Sequence, residues 1–323
     1  MRRVATGFAV AVVSAGLVTG CGDKAGGADD CTVRQPAQLG IASGNTSGVF
    51  YTLGKALAEQ LASATDGKVR ATVAETVGSP QNIQQLVAGA YQVAFSQSDT
   101  AADAALGREE FAGKREPVRA LSRLYLSYMH VIVRADAHID TMSDLKGKRV
   151  STGSVNSGIE MVAQRMLRAA GLNPDSDINA QHLDLGKTVE AMKDGGVDAM
   201  FFVGGLPTPG VTDLFDSLHD KVRLIDVTDV LPALRTVSTV YEGGAIPANV
   251  YGQAADVRAV VVPNVLLVRE DMDTGLACAI TKTLFDRKNQ LEQVNSSAKG
   301  ILRGTAPDTD PVVLHRGAKR ALG

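Results

Sequence analysis

The chain has 323 residues, 45% hydrophobic and 21% charged, with 33 Lys and Arg against 35 Asp and Glu and a formal net charge of −2. That length suits roughly two domains of about 100–200 residues, each with a core of its own, and the balanced charge, without a Lys/Arg block or a basic-aromatic patch, argues against nucleic acid as a partner. Tryptophan is absent and aromatic residues make up only 4%, which rules out a sugar cleft built on stacked indoles.

Arg2 and Arg3 precede a short apolar run over 4–18, closed by Val18, Thr19, Gly20 and Cys21. A positive start, an apolar middle and small residues at the end form the layout of an export signal. The run is too short for a spanning helix, which needs about 20 apolar residues. Its ending resembles the lipobox of bacterial lipoproteins. That resemblance implies that 1–21 is a lipoprotein signal peptide with its lipidated Cys21, followed by a tether over 22–36 whose first part is polar and glycine-rich. In an oxidising exterior, the remaining Cys31 and Cys278 read as a disulfide, with one buried and one exposed thiol as the open alternative.

The fold proper opens with an apolar run from Leu39, a loop of Gly44, Asn45, Thr46, Ser47 and Gly48, and then Leu53, Ala56, Leu57 and Leu61 at helical spacing. Strand, polar loop, helix is the expected order. The loop leaves the first helical turn with unpaired N–H groups and a positive dipole end, a place for an anion; a plain structural cap by Asn45, Thr46 or Ser47 is the alternative. A strand over 68–75 runs into a second polar loop, Thr76 to Pro80, and a helix on Ile83, Leu86 and Val87. A brief strand over 92–95 then ends in Ser96, Gln97, Ser98 and Asp99 before a helical stretch to 106. In an open parallel sheet, ligands sit off the carboxyl ends of the strands, where these loops would lie.

The span 121–133 reads as a long strand leaving the first domain, with His130 a packed strand histidine. The same grammar then restarts: a turn and strand over 144–152, a polar loop over 153–158, a helix carrying Val162, Met166 and Leu167 that Gly171 stops, a helix over 184–196, a buried strand over 197–203 and a terminal loop over 204–208. The apolar run 257–268 is broken by Pro263 and Asn264, which argues for an edge or a crossing between domains. Helices over 272–286 and onward to 303 should pack on the first sheet, and 307–323 reads as a frayed tail. The expected fold class is α/β: two α/β lobes joined by two crossing strands, near 128–133 and 260–265, with a ligand cleft between.

Catalytic constellations are missing. No His-Glu-x-x-His, nucleophile elbow or phosphate-binding Gly-Lys-Ser/Thr loop occurs, and His130, His138, His182, His219 and His315 lack metal-ligand spacing. Asp99 reads as a helix cap before it reads as a catalytic carboxylate. Binding is favoured over catalysis, with no cofactor and no metal expected.

Ile41-Ala-Ser-Gly-Asn-Thr-Ser-Gly-Val-Phe-Tyr51 with Gly54, Gly78-Ser-Pro-Gln-Asn82, Gln97-Ser-Asp99, Asp144-Leu-Lys-Gly-Lys-Arg149, Asn156-Ser-Gly158 and Gly204-Gly-Leu-Pro-Thr208 together resemble the TAXI family of TRAP-transporter solute receptors. The resemblance runs in order over nearly the whole mature chain. It implies a type II periplasmic-binding-protein fold, lobe I over 37–130 plus 263–323 and lobe II over 131–262, that captures a small organic anion or amino acid such as glutamate. An ion-driven membrane permease would then receive the ligand. The implied ligand wall is Gly44, Asn45, Thr46, Gly48, Tyr51, Thr76, Ser79, Gln97 and Ser98 from lobe I, with Asn156, Ser157, Gly158, Gly205 and Thr208 from lobe II. Backbone N–H groups and hydroxyls of the opening loop would hold a carboxylate, Gln97 and Asn156 would orient the other polar end, and Tyr51 would cover an apolar portion. An extracytoplasmic, lipid-anchored location follows. A ligand-sensing surface lipoprotein and an enzyme on the same scaffold are the rival readings.

Overall fold

The computed structural model describes residues 31–323; the segment read as an export signal, Cys21 and the first part of the segment read as a tether lie outside the described residues. Among the described residues there are ten strands and ten α-helices, mostly in alternation. The first lobe begins with β1 (Ala37–Ala42), α1 (Val49–Ala64), β2 (Val69–Ala74), α2 (Ser79–Val87), β3 (Val93–Gln97) and α3 (Ser98–Leu106), and the long β4 (Val118–Arg134) leads out of it. Then come β5 (Arg149–Ser151), α4 (Gly158–Ala169), β6 (Asn179–Gln181), α5 (Leu185–Lys193), β7 (Ala199–Gly204), α6 (Pro209–Leu218), β8 (Val222–Leu224), α7 (Leu231–Val237) and β9 (Glu242–Ile246). A second long strand, β10 (Val257–Arg269), returns to α8 (Thr274–Asp286), α9 (Lys288–Val294) and α10 (Arg316–Leu322).

All the strands belong to one curled sheet, ordered β2-β1-β3-β10-β4-β7-β5-β6, with β8 paired to β4 and β9 to β10. Within each lobe the helix-linked strands pair in parallel, β1 with β2 and β3, and β5 with β6 and β7. Such crossovers place helices on the faces of the sheet and strand-end loops along one rim. Antiparallel pairing of β10 with β4 joins the two lobes.

Pro263 sits where β10 changes partner. Residues Val257 to Val261 pair with β9, and Asn264 to Val268 pair with β3. The missing proline N–H therefore falls in the gap between two ladders, and the register with β4 is irregular at the same place. A proline in a strand that is central, not an edge, is tolerated at such an irregularity.

Four clusters of apolar side chains make the cores among the described residues, the two largest of them one in each lobe. In the first lobe Leu39 and Ile41 of β1 meet Leu53, Leu57 and Leu61 of α1, together with Ile280 and Leu284 of α8, so the late helices pack on the first sheet. In the second, Met129, Val131 and Val133 of β4 meet Val162, Met166 and Leu167 of α4. Fully burying a Leu or Ile side chain stabilises by about 1.5–3 kcal/mol, and the helical spacing of these residues is what aligns α1 and α4 on their sheets.

Two expectations about the chain ends change. The described part of the segment read as a tether is held down: Val33 is buried in the first core and a disulfide joins Cys31 to Cys278 of α8. The stretch read as a frayed tail is ordered as well. Val313 and His315 exchange backbone hydrogen bonds with Ala120 of β4, and Ala318 of α10 is fully buried. Small residues made this stretch look loose, yet they are what lets α10 lie against α8: a Cβ on Gly317 would stand 2.4 Å from the Thr274 carbonyl oxygen.

Candidate ligand-binding site

The strand-end loops of both lobes surround one pocket of about 110 Å³. The first lobe lines it with Gly44, Asn45, Gly48, Val49 and Phe50 from the β1–α1 junction, Val77, Gly78 and Ser79 from the β2–α2 junction, Gln97 at the end of β3, and Tyr125 and Ser127 of β4. From the second lobe come Gly158 and Ile159 at the start of α4, Phe202, Val203 and Gly204 of β7, and Thr208. None of these is Asp, Glu, Lys, Arg or His.

Five helices begin at this pocket: α1 after Gly48, α2 after Gly78, α3 after Gln97, α4 after Ser157 and α6 after Thr208. Only α4 has a side-chain cap, Ser157 Oγ accepting from the Glu160 N–H at 3.1 Å. At α1, α2 and α6 no side chain caps the first turn, so N–H groups without intrahelical acceptors and the positive dipole ends face the same space; in α3 the Thr100 N–H is taken by Asp99 Oδ1 at 2.8 Å. Glycine as the residue before α1 and α2 keeps that approach free of side chains.

Buried amide side chains hold the loops of the first lobe. Asn82, fully buried, donates from Nδ2 to the Ser43 carbonyl at 2.6 Å and to the Phe95 carbonyl at 2.8 Å, while its Oδ1 accepts from the Thr76 hydroxyl at 2.6 Å. One side chain thus ties together the ends of β1, β2 and β3. Gln97 donates its backbone N–H to Ser79 Oγ at 3.0 Å. Its side-chain Oε1 is buried with no hydrogen-bond partner. Asn264 of β10 holds two of the lining residues, donating to the Tyr125 carbonyl at 2.9 Å and to Ser127 Oγ at 2.8 Å.

The lobes touch at the pocket edge. A Cβ on Gly158 would lie 3.0 Å from Gln97 Oε1 and 3.2 Å from Ser79 Oγ, so the first turn of α4 comes this close only because the residue is glycine. Gly205 does the same deeper in, where a Cβ would stand 2.3 Å from Ser297 Oγ.

In the second lobe, Thr208 is fixed by an aromatic chain. Its N–H donates to the Tyr251 hydroxyl at 3.1 Å, its own hydroxyl donates to the Gly205 carbonyl at 2.8 Å, and the Tyr251 hydroxyl lies 3.3 Å from His130 Nε2. His130 Nδ1 faces the Tyr128 carbonyl at 2.8 Å, so Nδ1 carries the proton and Nε2 accepts from Tyr251. Burial pushes the His130 imidazole down to about 4, against partial support from the Tyr128 and Phe202 backbone. Burial likewise raises the Tyr251 phenol to about 12. At neutral pH both are uncharged.

Behind the pocket a buried ionic cluster spans the lobes. Arg165 of α4 donates to Asp99 Oδ2 at 3.0 Å, to the Tyr241 hydroxyl at 3.1 Å and to Asp103, and the Tyr241 hydroxyl donates to Asp99 at 2.6 Å. All four side chains are nearly inaccessible to water. Asp99, expected to cap a helix, does accept the Thr100 N–H in the first turn of α3 through Oδ1 at 2.8 Å, and its Oδ2 is also the counter-charge of an arginine 66 residues further along.

Of the residues expected to form the ligand wall, Gly44, Asn45, Gly48, Ser79, Gln97, Gly158 and Thr208 line the pocket. Thr46, Tyr51, Thr76, Ser98, Asn156, Ser157 and Gly205 do not. Thr46 is exposed, its N–H 3.4 Å from Glu75 Oε1; Phe50 lines the pocket in place of Tyr51; Thr76 supports Asn82; and Ser98, though buried, is outside the lining. Asn156 is exposed with φ +61° and its N–H is taken by Glu160 at 2.6 Å. Sequence reading missed Phe50, Tyr125, Ile159, Phe202 and Val203, because an apolar residue in a strand or first helical turn carries no mark that tells a pocket wall from core. Among the described residues no cluster of three metal-ligating side chains occurs.

Solved structures share this architecture. A protein from Bordetella bronchiseptica RB50 is 18% identical, with 88% of this chain and 82% of that one covered and a TM-score of 0.55. An ancestral arginine-binding protein bound to arginine is 15% identical over 81% of this chain and 98% of that one, TM-score 0.50. The binding-protein component of an ABC phosphonate transporter from Pseudomonas aeruginosa is 12% identical over 83% and 80%, TM-score 0.50. At such identities the likeness is one of fold: the type II periplasmic-binding-protein architecture of two α/β lobes about a cleft. The sequence profile of the NMT1-like family matches residues 41–322, nearly the whole of the described fold, and the chain therefore belongs to the NMT1-like family.

Proposed function

We propose that this chain is an extracytoplasmic solute-binding receptor that captures a small organic anion in the pocket between its lobes and releases it to a membrane permease. The observation that carries the reading is the convergence of five helix N-termini, drawn from both lobes, on a space without a single charged side chain. Helix ends of this kind stabilise a carboxylate without a counter-ion. The motifs from Ile41 to Thr208 favour a TAXI receptor of a TRAP-type transporter, with glutamate and related acids as the first ligands to test. Lobe I would be 37–130 plus 263–323 and lobe II 131–262, with the molecule anchored by lipid on Cys21. A ligand that touches Gln97 and Gly158 at once binds the closed arrangement preferentially and shifts the population toward it.

Native mass spectrometry of the gently purified protein should show a retained small acid. Isothermal titration with organic acids and amino acids, alongside small-angle scattering, should show binding coupled to compaction. Gln97→Leu should weaken that binding by about tenfold or more, the loss of one hydrogen bond in a dry site. Binding indifferent to Gln97, or turnover of the bound acid, would sink the proposal.

A further inference from the structure

We propose that the pocket selects acids that carry one negative charge on a compact apolar body, in preference to dicarboxylates and glutamate. The inference rests on the site assignment above and narrows it. The helix ends at α1, α2 and α6, which carry no acidic residue in the first turn, can balance one carboxylate, but no side chain in the lining carries a charge to balance a second of either sign. Arg165 cannot serve, because it is buried and consumed by Asp99 and Asp103. Glu75 and Glu160, which accept from the Thr46 and Asn156 N–H groups, lie outside the lining. An additional buried charge without a partner is strongly disfavoured.

The walls point the same way. Val49, Phe50, Tyr125, Ile159, Phe202 and Val203 enclose most of the space, and an apolar body gains by covering them. The volume of about 110 Å³ is of the order of the roughly 150 Å³ of an apolar cavity that accepts benzene, which favours a compact body. Glutamate brings three charges. Gln97 Oε1, in a side chain only 5% exposed, is the one buried acceptor of the lining without a partner. It fits a single hydroxyl or N–H on the ligand.

The test is isothermal titration of the purified protein at pH 7.5 with 2-hydroxyisovalerate, isovalerate, succinate and L-glutamate. The hydroxy acid should bind tightest, and both monocarboxylates should bind at least about tenfold more tightly than succinate or glutamate. A ratio below tenfold, or reversed, overturns the selectivity while leaving anion capture intact. No binding of any of these acids, with no retained acid on the purified protein, overturns both readings.

Discussion

Burial sets the His130 imidazole at about 4, from an ordinary value of 6.5. Between those two pH values the unfolded chain binds a proton that the folded chain refuses, so stability falls as the pH drops from about 6.5 toward 4, by about 3 kcal/mol in all. Carboxylates held below their ordinary range, such as Asp198 hydrogen-bonded to Arg149, contribute stability that is lost only at lower pH. Glu110, whose carboxyl burial raises to about 7, acts in the opposite sense over the same range, so the His130 contribution is read as the difference between the protein and His130→Phe in urea unfolding at half-unit steps from pH 7 to 4. The same imidazole holds Tyr251 against Thr208, so acidification loosens one wall of the pocket first. A second residue-scale prediction concerns Gly158. Gly158→Ala sets a methyl group 3.0 Å from Gln97 Oε1, which should weaken ligand binding about tenfold while leaving the melting temperature nearly unchanged, as calorimetry and titration on one sample would show. Gln97 and Ser79 were legible in the sequence because small and amide side chains at a strand end have few other uses. Tyr125 and Phe202 were not, since burial in a core and burial against a ligand impose the same side chain.

Between elements, the decisive contact is the Arg165 cluster that holds α4 to α3. Burial raises the Asp103 carboxyl while Arg165 pulls it back down, so the cluster is a compensated set whose members depend on one another. Arg165→Met should leave Asp99 and Asp103 uncompensated and cost about 3–5 kcal/mol, read as a shift in the urea midpoint at pH 7. Adding Asp99→Asn and Asp103→Asn to that variant should restore much of the loss. No local pattern announces this cluster: its members lie on elements far apart in sequence, and a buried arginine reads like any other charge on an amphipathic helix. The parallel βαβ units were legible, because strand-like runs, polar loops and helical spacing recur in order. The partner switch at Pro263 was half legible. Proline flagged an irregular strand, but only the three-dimensional pairing shows that it lies between two ladders at the centre of the sheet.

On the scale of the whole molecule, the disulfide between Cys31 and Cys278 spans 247 residues and fastens the first described residue to α8. Cross-links that close long loops stabilise mainly by restricting the unfolded chain, so replacing both cysteines with serine should lower stability by about 3 kcal/mol, measured by calorimetry against the untreated protein. The site itself should be unaffected, because neither cysteine lies near it. The two-lobed plan could be read from the repeated strand-loop-helix grammar. How the tail docks could not, since α10 is held by close approach of small residues whose sequence looks like linker.

The pairing of β4 with β10 has a practical consequence. Tyr128 and Val261 face each other across that ladder, so their backbones are about 5 Å apart, and β5 through β9 all lie on the stretch between them. That stretch is a cassette whose entry and exit are side by side, so it invites excision behind a short turn, or exchange for the matching piece of a relative, to graft a new half-site onto an unchanged partner.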